Sequence, residues 1–442
     1  MQFNSIPFIF YFLPVFLAVY YIAPLRARSF VLLCGSSLFY YFAIGKQLWP
    51  LLLLLMLTLF TYLMGRVLQR SRSKMLLGTL LVFLAGMLVF FKCYAGGKYL
   101  PVGMSFYLFQ MTAYLMDVQR RRCRAEKSFL RYGAQITMFP KLLSGPLASP
   151  ERLRVASLSP CNCGNTFHCG LQEFILGLGF KVLLSDRIGG LWAQAGVYGY
   201  DSISTPFAWL ALVSFALRLY FDFYGYSLMA MGLGRMLGYH LPPNFLDPYG
   251  SKSVSEFYRR WHATLGAWFR DHVYIPMGGS RRGTLRTICN LAVVWAFTGF
   301  WHGVGGNYLL WAGFLLVLVV MERLFLGRVL KAVPILGHGY TVFAILLSWV
   351  PFAIGEWDKM VTFLAKLFGR GIAVNPLDYQ LQLRQYWPFL LLGIFFALPI
   401  STKLLNWLRR HAIGDVLLFV LFWVAVYFVA TSAQDPFLYF TF

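Results

Sequence analysis

Long apolar runs alternate with short polar intervals along almost the whole chain, at positions 6–24, 29–45, 48–65, 75–91, 99–118, 171–184, 206–236, 286–302, 307–326, 340–354, 386–405 and 416–430. An α-helix needs about 20 apolar residues to cross a hydrocarbon core, whereas an outer-membrane barrel strand shows only about 10 residues of alternating polarity. The runs have the helical length. The pattern therefore predicts an all-α polytopic membrane protein of about eleven or twelve helical segments, organised as one domain over 1–442. No internal repeat is visible.

Two interruptions refine this. The stretch FPKLLSGPLASPERLR at 139–154 holds three prolines and mixed polarity, so a loop or re-entrant piece is expected there and not a spanning helix. Within 206–236, Gly225, Gly232 and Gly234 are small residues suited to close helix approach; they lack the strand context of a nucleotide-binding loop.

Basic clusters fall between the runs: Arg26 and Arg28; Arg66, Arg70, Arg72 and Lys74; Arg120 to Arg131; Arg323, Arg328 and Lys331; and Lys403, Arg409 and Arg410. The positive-inside bias makes these the cytoplasmic loops. The first run has no basic residue before it and no small-residue cleavage site after it, and reads as a retained span with its N-terminus outside. The chain is expected to cross its membrane many times.

Composition agrees: 59% of residues are hydrophobic and only 12% charged, outside the range of soluble domains. A net charge of +23, from 39 Lys and Arg against 16 Asp and Glu, would suggest nucleic acid in a soluble chain. Here the basic residues sit between apolar runs, where they orient the protein and attract anionic headgroups of the bilayer, so no nucleic acid partner is expected. Seven cysteines suggest no disulfide framework, and Cys34, Cys93 and Cys289 read as small core residues. Cys161, Cys163, His168 and Cys169 have spacing that suits a metal or lipidation but matches no standard zinc pattern, and no metal site is expected.

The stretch 253–313 stands apart. It places His262 and His302 each directly after a tryptophan, Trp261 and Trp301, and its first half carries Arg259, Arg260, Arg270, Asp271 and His272 among aromatics. Such a segment must pack against protein or line a wet cavity. A helix from Arg286 would lift His302 by about 24 Å toward the bilayer interior. For His262 to act with it, 256–268 must dip into the membrane inside a protein funnel. A neutral imidazole can take a proton from a reacting hydroxyl or thiol near neutral pH. A buried Trp–His pair can equally hydrogen-bond helices together, and the residues alone leave both readings standing. His168, His240, His272, His338 and His411 lie near segment ends and read as structural.

These residues resemble the membrane-bound O-acyltransferases, in particular the bacterial branch acting in alginate O-acetylation and teichoic-acid D-alanylation. The matching pieces are GMSFYLFQMTAYLMDVQR at 103–120, FPKLLSGPL at 139–147, FDFYGYSLMAMGLGRMLGYHLPPNF at 221–245, SVSEFYRRWHATLGAWFRDHVYIPMGG at 253–279, NLAVVWAFTGFWHG at 290–303 and the DPFLYFTF ending. The chain departs from the pattern at Tyr224 and Leu228, where that branch carries small and acidic residues.

The resemblance implies a ring of helices around a thinned centre, with a funnel from each face meeting at two catalytic histidines. It makes His302 the general base and gives His262 the role of orienting the donor or stabilising the tetrahedral intermediate. Trp261, Trp301, Arg259, Arg260 and Asn290 become candidate substrate-binding residues, with Arg281 and Arg282 as further contacts for donor phosphates. Phe437, Tyr439 and Phe442 become candidate anchors in the outer funnel or against a partner. No tightly bound cofactor is implied; the donor is acetyl-CoA or another acyl thioester. The implied partners are a secreted or membrane-anchored SGNH-like acyltransferase and a cell-surface polysaccharide, with D-alanyl transfer to teichoic acid as the alternative. The rival from another class is a transporter or structural membrane component. Against that rival stand the missing repeat and Asp222 as the one acid that stands out within a span.

Overall fold

In a computed structural model of the chain, residues 1–148 and 163–431 are described. They form helices joined by short connections, with no strand among the described residues. The helices used below are α1 (Pro7–Ile22), α2 (Arg28–Ala43), α3 (Leu48–Ser71), α4 (Lys74–Cys93), α5 (Met104–Gln119), α6 (Phe129–Thr137), α7 (Phe139–Leu142), α8 (Cys163–Gly179), α9 (Asp186–Tyr198) and α10 (Thr205–Met236). Then follow α11 (Val254–Arg260), α12 (Ala263–Phe269), α13 (Thr284–His302), α14 (Gly306–Met321), α15 (Gly327–Ala332), α16 (Pro334–Ala353), α17 (Trp357–Leu367), α18 (Asp378–Ala397), α19 (Pro399–Leu408) and α20 (Ala412–Thr431).

Among the described residues six helices are long and apolar enough to cross a membrane: α3, α4, α10, α14 extended through α15, α16 and α20. A seventh results if α18 and α19, bent by 86° at Pro399, count as one span. The chain is an all-α, multi-pass membrane protein. Apolar side chains exposed on α4 and α20, such as Val82 and Phe419, are what a hydrocarbon environment accepts and water does not. Cys34, Cys93 and Cys289 correct the expectation of small core residues, because all three are exposed. Their apolar neighbourhood in sequence is the lipid-facing side of helices.

The described chain divides into two compact units. The first comprises Met1–Leu178, Tyr226–Pro243 and the end of α20 from Val426. Its core is aromatic: the Phe139 ring meets those of Phe3, Phe12, Phe16 and Phe39 at centroid distances of 6.3, 5.6, 5.3 and 5.3 Å. The proline-rich stretch forms only the four-residue α7 and then buried irregular chain to position 148, as its prolines predict. Glycine permits close approach of α8 and α10 in this unit, since a Cβ on Gly232 would lie 2.4 Å from the Gly170 carbonyl. Arg235 on α10 pairs with the buried Glu173 on α8 at 3.2 Å.

The second unit holds Gly179–Gly225 and Asn244–Ala425. It contains the whole stretch around the two histidines. Tyr224, one of the departures from the family pattern, stacks on Tyr220 at 5.3 Å and 14°, so the position is used for aromatic packing.

Candidate active site

The local sequence dictates how His262 is presented. Ser253 caps the start of α11, its Oγ accepting from the Glu256 amide at 3.1 Å, and Glu256 Oε2 reaches back to accept from the Lys252 amide at 2.9 Å. The other two first-turn amides, of Val254 and Ser255, donate to the Glu322 carboxylate at 2.6 and 2.9 Å. All the early amide donors of this short helix are thereby satisfied.

Between α11 and α12, His262 adopts φ +44° and ψ +49°. A left-handed conformation is uncommon for a residue other than glycine and is held only where surrounding contacts over-determine it. Here they do: the Leu246 amide donates to the Arg260 carbonyl at 3.0 Å, the Ala263 amide to the Asn244 carbonyl at 2.8 Å, and the His262 carbonyl accepts from Leu265 and Gly266 to start α12. The imidazole is fixed as well. Asn244 Oδ1 accepts from His262 Nδ1 at 3.2 Å and from Thr264 Oγ1 at 2.5 Å. Because the partner is an acceptor, the Nδ1 position carries the proton, and in the neutral ring the lone pair is on Nε2.

His302 is the last residue of α13, which runs unbroken from Thr284. Its ring packs edge-on to Trp311 and Phe352, with centroids at 4.9 and 5.0 Å. Gly303 then leaves the helix in extended backbone with the Tyr308 ring against it; a Cβ there would lie 2.2 Å from that ring. The Trp301 indole touches both imidazoles, at 6.0 Å from His262 and 4.6 Å from His302.

Both histidines line one cavity of about 1010 Å³. They are 4% and 8% exposed, whereas the Lys252, Arg259, Arg270, Arg323, Arg328 and Lys331 side chains that line the same cavity are exposed. The cavity therefore leads from cationic surface to two buried imidazoles, past the aromatic walls of Trp261, Trp295 and Trp349.

The sequence-predicted residues divide. His262, His302, Trp261 and Arg259 line the cavity. Trp301 does not; it lies against the two histidine rings. Arg260 is engaged by Glu256 at 2.6 Å and by the Asp247 carbonyl, and Asn290 donates to the Gly279 carbonyl at 2.9 Å, so both brace the backbone around the site. Arg281 and Arg282 are not in the lining, and Arg323, Arg328 and Lys331 join Lys252, Arg259 and Arg270 there instead. His272, His338 and His411 donate to the Trp268, Ser251 and Trp407 carbonyls, as structural histidines do. Phe437, Tyr439 and Phe442, and Cys161 of the Cys/His group, lie outside the described residues, as does the side chain of Cys163.

Asn244 and Glu322 escaped the sequence reading. The first sits in the quoted stretch LPPNF, and the second is a lone acid near the end of an apolar run. The expectation that Asp222 is the one acid of note within a span needs correction, since Asp117, Glu173 and Glu322 are buried too. Asp222 is paired with Lys181 at 2.7 Å, which also meets Asp186 at 2.6 Å. This is a helix-bracing network in which the acid's charge is compensated.

Two buried imidazoles at the end of a cation-lined cavity are equipped to move a proton and to face a ligand drawn in by its negative charge. The chain belongs to the membrane-bound O-acyltransferase family, whose sequence model matches residues 38–346. It is 31% identical over 412 residues to a probable alginate O-acetylase of Pseudomonas fluorescens, covering 86% of this chain and 81% of the relative. To the probable alginate O-acetylase of Pseudomonas aeruginosa it is 32% identical over 449 residues, covering 91% and 84%. A peptidoglycan O-acetyltransferase of Helicobacter pylori is 32% identical over 242 residues, covering 48% and 45%. The chain is an enzyme, a membrane O-acyltransferase.

Proposed function

We propose that this enzyme takes an acetyl group from a cytosolic thioester, acetyl-CoA, and passes it across the inner membrane for O-acetylation of a cell-surface polysaccharide. The observation that carries the reading is the cavity joining six exposed cations to the two buried histidines. A donor bearing several phosphates is attracted to such a wall, while only its uncharged acyl thioester end enters the aromatic interior. The relatives that cover more than four-fifths of the chain carry names that specify acetyl transfer to a polysaccharide.

In this reading His302 accepts the proton of an acceptor hydroxyl as its oxygen attacks the thioester carbonyl. A tetrahedral oxyanion forms, and its collapse expels the thiolate, which takes the proton back from His302; ester and free thiol result. The C-terminal end of α13 suits the transient imidazolium, because the helix carbonyls there favour positive charge. His262, with its tautomer set by Asn244, orients the donor or stabilises the oxyanion. The acceptor is a hydroxyl reached from the opposite face, supplied by a secreted or membrane-anchored SGNH-like acyltransferase that hands the group on to the polymer. No tightly bound cofactor enters any step.

The test is acetyl-CoA turnover by the purified chain in liposomes, with thiol release followed in the presence of the extracytoplasmic partner and polymer. Thiol release and hydroxylamine-labile acetate on the polymer, both lost with His302→Ala, are expected. Turnover of aminoacyl-carrier thioester with no turnover of acetyl-CoA would overturn the acetyl reading.

A further inference from the structure

Glu322 lies seven-tenths of the way along the chain, in a π-turn (Glu322–Leu326) that joins α14 to α15, and is 7% exposed. Its two carboxylate oxygens take the amides of Val254 and Ser255, 68 and 67 residues away, at 2.6 and 2.9 Å. Those are the first two amides of α11, the seven-residue helix whose far end leads through Trp261 into His262. Glu322 also lines the cavity, and the residues that follow it, Arg323, Arg328 and Lys331, supply cations of the wall.

We propose that Glu322 is a positioning residue for His262, clamping α11 so that the imidazole stands at the right depth in the cavity. The proposal rests on the acyltransferase reading of the two histidines. Three features support it beyond simple helix capping. A seven-residue helix is too short to hold itself, since nucleation alone is unfavourable and helices under about 12 residues are marginal without tertiary support. An anionic carboxylate at a helix N-terminus meets two donors at once, the stronger, charge-assisted kind of hydrogen bond. The backbone at the other end, His262 at φ +44°, is a conformation that relaxes if its supports loosen. Asn244 fixes the ring and Glu322 fixes the helix that carries it; the two supports come from opposite sides of the sequence.

A π-turn is a single widened turn that recurs at functional positions. Here it places a carboxylate toward α11 and the next residue, Arg323, toward the donor wall. One element thereby spans donor-binding surface and histidine support.

The experiment compares wild type, Glu322→Gln and Glu322→Ala in the liposome assay, with His302→Ala alongside. Glu322→Ala is expected to lower kcat at least ten-fold while donor KM stays within about two-fold. Glu322→Gln, of the same length and keeping one accepting oxygen, should restore an intermediate kcat. A kcat within two-fold of wild type for the alanine variant overturns the proposal, as does a loss confined to donor KM, which would make Glu322 part of the donor wall. Equal loss in Gln and Ala overturns it too.

A second measurement needs no turnover. In a cysteine-free chain carrying His262→Cys, alkylation of that thiol by a small maleimide is expected to be slow, and Glu322→Ala should speed it at least five-fold. An unchanged rate overturns the positioning role even if the chain proves to transfer some other group. If wild type fails to turn over any thioester while the alkylation rate responds, the activity reading falls and the clamp stands. Should the alanine variant fail to insert, the Gln variant carries both measurements.

Discussion

Asn244 Oδ1 sits 3.2 Å from His262 Nδ1, and the same oxygen takes the Thr264 hydroxyl. A residue 18 positions upstream thus decides which nitrogen of the imidazole bears the proton. Asn244→Leu should lower kcat about ten-fold or more, because the ring loses both orientation and tautomer. Asn244→Asp keeps an acceptor and should retain clearly more activity than the Leu variant. Equal activity of the two variants in the thiol-release assay would show that the acceptor is not what matters.

Removing the base should be the most damaging change. His302→Ala is expected to lose about 10²- to 10⁴-fold in transfer rate with the protein still inserted at wild-type level. His262→Ala should show a large but incomplete loss, as suits an orienting or oxyanion-stabilising group. Activity of His302→Ala above about a tenth of wild type would remove the base from the mechanism.

The cationic wall makes a claim about binding and not about chemistry. Arg323→Glu combined with Arg328→Glu should raise donor KM about ten-fold or more with little change in kcat, and wild-type KM should itself rise with salt as exposed charges are screened. Arg281→Glu, outside the cavity lining, is the control and should leave KM near wild type. A KM that ignores both salt and the double reversal would mean the donor enters elsewhere.

Asp222 and Lys181 form a buried pair at 2.7 Å, with Asp222 1% exposed. Removing one partner strands the other, so Asp222→Ala should destabilise the protein by about 3–5 kcal/mol, read as a lower melting temperature in detergent. Replacing both with apolar residues of similar volume, Asp222→Leu with Lys181→Met, should recover most of that loss and also most of the activity. If the double variant is stable yet inactive, the pair belongs to a proton path and not to the scaffold.

Sidedness follows from the basic clusters. Acetyl-CoA carries several phosphate charges and does not cross a hydrocarbon core, so sealed inside-out vesicles should turn it over and right-side-out vesicles should not. Arg281→Cys, in a cysteine-free background, should react only with reagent on the cytoplasmic face. Labelling from outside would reverse the topology.

Membrane residence and helical class were legible in the sequence because both rest on local properties: run length, apolar content and the placement of Lys and Arg between runs. The two histidines were legible for the same kind of reason. A titratable residue after tryptophan in an apolar run is conspicuous wherever the chain takes it, and the RRWH and FWHG pieces carried the family resemblance.

The supports of those histidines were a tertiary matter. Asn290 and Arg260 looked like substrate contacts because they lie close in sequence to the histidines, yet the fold turns them onto the Gly279 carbonyl and Glu256. Asn244 and Glu322 drew no notice, since an isolated amide after two prolines and a single acid near a helix end look the same whether they cap, pair or face solvent. Cys34, Cys93 and Cys289 show the converse, apolar in neighbourhood but placed on exposed helix faces. Apolar content reports that a segment avoids water, and it does not distinguish a protein neighbour from a lipid one. Which side chains meet across tens of residues is set by how the helices pack, and that information lies in no single stretch of the chain.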